Sequence, residues 1–376
     1  MSEIASHLRA IPQMRPGAFF ESVKSETLAA MQRVIESGWY ILGEEVQSFE
    51  REFCSHFHFA HSVGVANGTD ALAIALRALG IGSGDRVATV SNTAVATVAA
   101  IEMAGARPVF VEIDATSYTM SSVSLARTLE AFDSIKAVIA VHLYGHPADI
   151  PAIAEIARPL GVRLIEDCAQ AHGAMLHGQF AGSMSDIATF SFYPTKSLGA
   201  LGDGGMVVTS DPALAKRVRM LREYGWDRRY VSDFPGVNSR LDELQAAILR
   251  IRLPRLDAGN GRRAEIAARY DQGLADTGLT LPRTMAGANH VYHQYVIRHP
   301  ERNRLRDRLQ QKGVGTNIHY PMPVHLQPAY ASRCEMDPCG LEITETYANE
   351  ILSLPMYPEL SQDEVDAVID AVRDSL

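Results

Sequence analysis

SFYPTKSLGALGDGG, Ser191 to Gly205, sets a single lysine, Lys196, in a segment almost free of other charge. An aromatic pair and a proline precede it, and a glycine-rich tail follows. A lysine in apolar surroundings loses its proton more readily and becomes a nucleophile suited to Schiff-base chemistry. A lone loop lysine is ordinarily a solvated surface residue, so its neighbours decide. Upstream, GVRLIEDCAQAHGA (Gly161 to Ala174) reads as a short apolar strand, Val162, Leu164 and Ile165, ending on Glu166 and Asp167. A carboxylate at the end of a buried strand is costly unless a charge meets it.

A protonated pyridine nitrogen would meet such an acid, and the acid would keep the ring able to accept electrons. A third run, VGVANGTDALAIALRALG (Val63 to Gly80), ends a strand near Asn67, turns at Gly68 and Thr69 and starts an apolar helix. Amides at a helix start bind phosphate, and glycine permits close approach. Asn-Gly alone marks a turn. Phosphate cup, acid and lysine in that chain order specify the three anchors of pyridoxal phosphate.

The rest of the chain sets these anchors in an α/β fold. Apolar runs at 62–67, 86–91, 107–113, 136–142, 162–166, 187–192 and 205–209 read as strands. Segments 70–79, 94–104, 121–131 and 149–159 read as helices between the earlier ones. Strands with little internal alternation imply a mostly parallel sheet covered by helices on both faces. Arg240 to Leu256 predicts a long helix that Pro254 kinks or ends, and DAGNG (257–261) then reads as a hinge. This divides the chain into a large domain, 1–256, and a smaller C-terminal α/β domain, 257–376. Ser361 and Glu364 form a capping box for a final helix with Val365, Val368, Ile369 and Val372 on one stripe.

Composition agrees. A chain of 376 residues, 47% hydrophobic, can bury a full α/β core and a second lobe. A formal charge of −9 argues against nucleic acid as a partner. No run of eighteen apolar residues suggests a membrane span, and residues 1–30 lack a signal peptide's apolar core, so the cytoplasm is expected. Cys54, Cys168, Cys334 and Cys339 form no CxxC pair, so no metal is expected, and Cys168 reads as a buried structural thiol.

The segments NGTDAL, EDCAQAHGA, SFYPTKSLGALGDGG, GVNSRLDELQAA and IHYPMPVHLQPAY resemble the DegT-type family of pyridoxal-phosphate-dependent nucleotide-sugar aminotransferases. The resemblance runs from about Trp39 to Tyr357. It implies a fold-type-I aminotransferase, a nucleotide-linked keto sugar as substrate, and an amino acid donor, usually glutamate. Lys196 then resembles the lysine that bonds the cofactor and shuttles the proton, and Asp167 the partner of the ring nitrogen. Gln170 matches the residue that bonds the ring hydroxyl, and Ala169 packs one face of the ring. Gly68, Thr69 and Ser191 match the phosphate ligands, and Asn238 one lent by the other subunit of a homodimer with shared sites. The bland role for Asn238 is a cap on the helix near Arg240.

The resemblance also places Tyr40, His172, Tyr193, Arg240, His319, Tyr320 and His325 at the substrate. Read without it, Trp39 and Tyr40 suit core packing, and Arg228, Arg229 and Arg240 suit either a solvated surface or a diphosphate. The chain departs from the family at Ala94, where relatives commonly carry an aromatic that stacks on the cofactor. The pairing of NGTDAL with NSRLDELQAA looks more like the 3-aminotransferases than the 4-aminotransferases. Two other readings of the fold are a sugar dehydratase, whose members carry histidine at the lysine position, and a non-catalytic regulator. Lys196 opposes the first, and the joint presence of lysine, acid, glutamine and phosphate cup opposes the second.

Overall fold

The computed structural model describes residues 10–376; part of the 1–30 segment read for a signal peptide lies outside them. Seven strands form the main sheet in chain order: β1 (His61–Val65), β2 (Arg86–Val90), β3 (Arg107–Val111), β4 (Ile135–Val141), β5 (Arg163–Asp167), β6 (Ile187–Ser191) and β7 (Gly205–Thr209). Beyond them, β8 (Tyr295–Arg298) pairs antiparallel with β10 (Ile351–Leu354), and the short β9 (Glu335–Met336) joins the edge of the main sheet. The order across the main sheet is β1-β7-β6-β5-β4-β2-β3-β9. Pairing is parallel except where β7 runs antiparallel to both β1 and β6. The seven predicted strands are all present, shifted by at most two residues at an end. Their interiors are buried except at Lys136 near the start of β4, as a sheet covered on both faces requires.

Two helices matter most for the site. Helix α1 (Gly68–Ala78) follows β1 and is capped by Asn67, whose side chain accepts from the Asp70 amide at 2.8 Å. Helix α2 (Val95–Met103) follows β2, with Ala94 at its cap position. Both start at the C-terminal edge of the sheet, the edge where open α/β sheets place their ligands.

The predicted helix from Arg240 begins later and does not end in a hinge. Residues 238–242 are extended, with bridges Glu223↔Asn238 and Ile41↔Asp242. Helix α3 (Glu243–Arg252) is capped at Asp242, so Asn238 is no helix cap. Pro254 lies in a single 3-10 turn, Leu253–Arg255, and α4 (Leu256–Leu274) continues directly through DAGNG. Proline in a first turn loses no helical hydrogen bond, so the chain bends without unravelling. The two glycines cost α4 about 1 kcal/mol each. Gly259 faces the Pro358 ring, with a built Cβ 3.6 Å from it, and Asn260 Nδ2 donates to the His172 carbonyl at 2.8 Å.

A separate apolar core gathers Ile266, Tyr270 and Leu274 of α4, Tyr295 and Ile297 of β8, Leu352 and Leu354 of β10, and Val365, Val368 and Val372. The last three lie on α5 (Gln362–Arg373), where the Ser361–Glu364 capping box is formed. We propose the boundary between large and small domains at 256/257 on the strength of this core. Residues 324–341 nonetheless pack back on the large sheet, with Val324, Tyr330 and Leu341 against Val98 and Phe110. Among the described residues no helix is long and apolar enough to cross a membrane.

Candidate functional site

Strand ends and helix starts converge on a cleft of about 550 Å³. Asp167 closes β5, Ser191 closes β6, and Gly68 and Thr69 open α1. Lys196 comes from the turn after β6, its amide donating to the Tyr193 carbonyl at 2.8 Å. Ala94, Ala169, Gln170 and Tyr193 complete the expected residues that line the cleft. The chain is drawn tight at the α1 start. A Cβ on Gly68 would sit 2.7 Å from Ser191 Cβ, and one on Gly205 would sit 2.3 Å from the Asn67 carbonyl oxygen. Glycine at both positions lets the first amides of α1 approach Ser191 and present themselves to an anion.

Asp167 is buried, yet only part of its hydrogen-bonding capacity is used. Oδ2 accepts from Thr97 Oγ1 at 3.0 Å and Oδ1 from the Ala169 amide at 3.1 Å. Burial pulls the Lys196 ammonium down to about 8, and the Asp167 charge opposes that shift. Gln170 is fixed at both ends. Its Oε1 accepts from the Tyr144 amide at 2.7 Å, and its Nε2 donates to Tyr320 Oη at 3.2 Å. Burial pushes the Tyr320 phenol up to about 12, with the Asp167 charge adding to the rise.

Thr97 and Tyr144 were not singled out in the sequence. Thr97 lies three positions after Ala94, on the same side of the first turn of α2. Tyr144 adopts a left-handed backbone, φ 62°, rare for a bulky residue. That conformation aims its amide at Gln170, while its hydroxyl donates to the His319 carbonyl. Nothing in the sequence marks a tyrosine for that geometry.

The other expected substrate residues stand apart from the cleft wall. His172 is fully buried against the rings of Phe190 and Phe192, at 5.4 and 5.9 Å. Burial, and then the Lys196 charge, pull its imidazole down to about 3, and it does not line the cleft of its own chain. His325 is held between Ser91 Oγ at 2.7 Å and Glu345 at 3.2 Å and does not line the cleft. His319 Nδ1 pairs with Ser353 Oγ at 2.8 Å. Its imidazole is held at about 4 by burial and by Lys196, so it lies within the lysine's electrostatic reach while outside the cleft lining.

Tyr40 and Trp39 are 55% and 63% exposed, which overturns core packing for the pair. Gly38, at φ 63°, ends the preceding helix and turns both rings outward beside Ile35 and Ile41. Asn238 is exposed and Arg240 half-buried, and neither lines the cleft of its own chain. Arg228 and Arg229 are exposed around the hairpin of Trp226–Arg228 and Val231–Ser232, and Arg229 lies over the Tyr230 ring at 4.9 Å.

One cluster has metal-like composition: ligand atoms of His142, Glu166 and Cys168 lie within 4.8 Å of one another. Both His142 nitrogens are engaged, Nε2 with Glu166 at 3.0 Å and Nδ1 accepting the Ala148 amide at 2.8 Å. Burial, with the neighbouring acids, raises the Cys168 thiol well above its usual range, as befits a packed structural thiol.

The cleft's donor set fits pyridoxal phosphate: a glycine cradle with helix amides for phosphate, a buried acid, and a lysine of lowered basicity. On this sheet, that combination defines a pyridoxal-phosphate-dependent aminotransferase of fold type I. The chain belongs to the DegT/DnrJ/EryC1/StrS aminotransferase family, whose model matches residues 21–373. It is 48% identical over 363 residues to a dTDP-3-amino-3,4,6-trideoxy-alpha-D-glucose transaminase of Micromonospora megalomicea subsp. nigra, covering 94% of this chain and 96% of that one. It is 45% identical to the erythromycin biosynthesis sensory transduction protein EryC1 of Saccharopolyspora erythraea, covering 96% of this chain and 99% of that one. Among solved structures, S. venezuelae DesV in complex with a ketimine intermediate superposes with a TM-score of 0.94 at 46% identity, covering 97% of this chain and 98% of that one.

Proposed function

We propose that this enzyme transfers an amino group from glutamate to the C3 ketone of a nucleotide-linked deoxysugar. The observation that carries the reading is Lys196 in one cleft with Asp167 and the Gly68–Ser191 cradle. The C3 position is supported by the 3-amino product in the name of the 48%-identical transaminase. A relative named for sensory transduction is compatible with the same chemistry, because a pure binding protein needs no lysine of lowered basicity facing a buried acid.

When bound, the cofactor supplies an electron sink for the carbon that gains or loses the amine. The chain's own residues then divide the work. The α1 amides at Gly68 and Thr69, with the Ser191 hydroxyl, hold the phosphate. Asp167, oriented by Thr97, keeps a proton on the ring nitrogen. Gln170, clamped by Tyr144, fixes the ring hydroxyl. Lys196 Nζ would hold the cofactor's aldehyde and would serve to move the proton at the reacting carbon, for which a basicity near neutrality is suited. Ala169 would pack one face of the ring, and Ala94 would offer the other face no aromatic stack. Tyr193, 52% exposed at the mouth, is placed to touch the sugar.

The active unit is inferred to be a homodimer with shared sites. The exposed Ile35, Trp39, Tyr40 and Ile41 supply apolar surface for the seam, and the exposed Asn238 can then reach the neighbour's phosphate. Mixing Lys196→Ala chains with Asn238→Ala chains should regenerate one intact site per heterodimer. No recovery under confirmed subunit exchange, with each parent dead and dimeric, would refute sharing. The four unpaired cysteines support the cytoplasm as the compartment. The substrate is tested with a panel of nucleotide-linked 3-keto and 4-keto sugars plus glutamate, scored for amino sugar. Product from the 4-keto members alone would overturn the C3 assignment.

A further inference from the structure

A second cavity, of about 270 Å³, lies against the lysine turn, walled by Pro194, Thr195, Lys196 and Ser197 on one side. It shares Lys196 with the cofactor cleft and no other lining residue. Five arginines line it, Arg15, Arg252, Arg255, Arg262 and Arg263, against one acid, Glu359. Three of the arginines are neutralised elsewhere: Arg15 by Glu364, Arg255 by Glu26 and Arg262 by Glu265. Among the described residues, Arg252 and Arg263 make no ion pair.

Arg263 is only 4% exposed, and its Nη1 donates to the carbonyls of Met356 at 2.9 Å and Tyr292 at 3.4 Å. Arg252 lies over the rings of Phe19 and Phe20, at 4.4 and 5.3 Å, and its Nη2 donates to the Ser197 carbonyl at 3.4 Å. The Ser197 hydroxyl is buried without a hydrogen-bond partner. Burial draws both guanidiniums down to about 10, against the pull of Glu359. Neutral carbonyls satisfy some of the N–H groups, yet they do not cancel the charges of the buried Arg263 and the half-buried Arg252. The aminotransfer reading uses neither arginine.

We propose that this cavity binds a small oxyanion, a carboxylate or a phosphate, behind the turn that carries Lys196. Guanidinium forks match the planar or tetrahedral oxygens of such groups, and the Ser197 hydroxyl adds a donor. The volume has room for an anion of that size. An occupant would touch Pro194 to Ser197, the turn that carries Lys196. The proposal goes beyond the aminotransfer reading and is decided by binding alone.

The cofactor-loaded protein is titrated by calorimetry with inorganic phosphate and, separately, with succinate, at constant ionic strength against a chloride control. Loading keeps the probe out of the cofactor's own phosphate cradle, and succinate has no amine or ketone to react. Saturable binding of either probe is expected, and which one binds tells phosphate from carboxylate. Arg252→Gln should weaken it by at least about tenfold, the loss of a charged hydrogen bond. Glu359→Gln, which removes the one repelling charge, should tighten it several-fold. Glu359 is exposed, so that variant remains informative if Arg252→Gln fails to fold. No saturable binding to the wild type, or affinities that ignore the substitutions, would overturn the proposal.

Discussion

On one face of β5, Glu166 is met from every side. Its carboxylate lies 3.0 Å from His142 Nε2 and accepts from the amides of Gly182 at 2.9 Å and Met184 at 3.0 Å and from Ser185 Oγ at 2.9 Å. Burial opposes its charge, but these hydrogen bonds prevail and hold it below the usual carboxylate range. On the other face Asp167 has two partners, Thr97 and the Ala169 amide, and the cleft takes the rest of its capacity. Strand alternation turns consecutive side chains to opposite faces, so one acidic pair yields a sealed strut and an open anchor. A buried charge whose partners are complete belongs to the scaffold. A buried charge with partners missing marks where a ligand completes the set.

The open face should be broken most completely at Lys196. Lys196→Ala is expected to fold normally, since it removes an ammonium that burial already disfavours. Turnover should fall by at least about 10⁴-fold, as for removal of a nucleophile, and the visible absorbance of the loaded protein should vanish. Circular dichroism with single-turnover assays measures both. A variant keeping a tenth of wild-type turnover would remove Lys196 from the chemistry.

Next in size comes the β5 pair itself. Asp167→Asn should leave stability nearly intact while slowing transfer on the order of 10³-fold, the scale of losing one preorganised electrostatic partner. Glu166→Gln should do the reverse, costing about 3–5 kcal/mol because it breaks a buried charged network, with little change of rate in the fraction that folds. Urea titrations and single-turnover rates on the two variants separate these effects. If both variants lost the same property, the contrast between the faces would be wrong.

A smaller effect reads the lysine's environment. With its ammonium held at about 8, only the neutral amine attacks, so cofactor capture by the empty protein should accelerate as pH rises and level off above 8. The change in neutral fraction gives a rise of roughly tenfold between pH 7 and 9. The Asp167 charge raises that value, so Asp167→Asn should move the midpoint to lower pH. A rate flat across that range, or a midpoint moving upward, would contradict this electrostatic account.

How much of this was legible in the sequence follows from which signals are local. Strand positions, the α1 start and the Ser361 capping box depend on neighbours a few residues away, and they appear where patterning placed them. That Lys196, Asp167 and the Gly68–Thr69 turn line one cleft is legible because each lies at a strand end or helix start, positions that composition marks. The placement of His172 and His325 is not legible, because a histidine looks alike in sequence whether it faces a cleft, packs on Phe190 and Phe192 or pairs with Ser91 and Glu345. DAGNG misled because the Gly259 contact with Pro358 and the Asn260 bond to His172 are long-range, and they outweigh a local propensity of about 1 kcal/mol per glycine. For Trp39 and Tyr40 hydrophobicity alone favours a core and the resemblance a place near the pocket, whereas the turn at Gly38 decides which way they face.

The smallest expected effect concerns the unfilled wall of the open face. Ala94 is half-buried at the start of α2, makes no side-chain cap and borders the cleft. Replacing it therefore sacrifices no capping hydrogen bond, and the cleft offers room that a packed core would not. Ala94→Tyr should add an aromatic face opposite Ala169, worth up to about 1 kcal/mol, or roughly fivefold in cofactor affinity. The measurement belongs in a Lys196→Ala background, where docking is noncovalent and the dissociation constant reports stacking directly. Fluorescence titration of cofactor into the single and double variants gives the ratio. Unchanged or weaker affinity in the double variant would mean that another side chain already covers that wall. Tyr193, exposed at the same mouth, is the first to examine, and its removal should then weaken binding where Ala94→Tyr did not strengthen it.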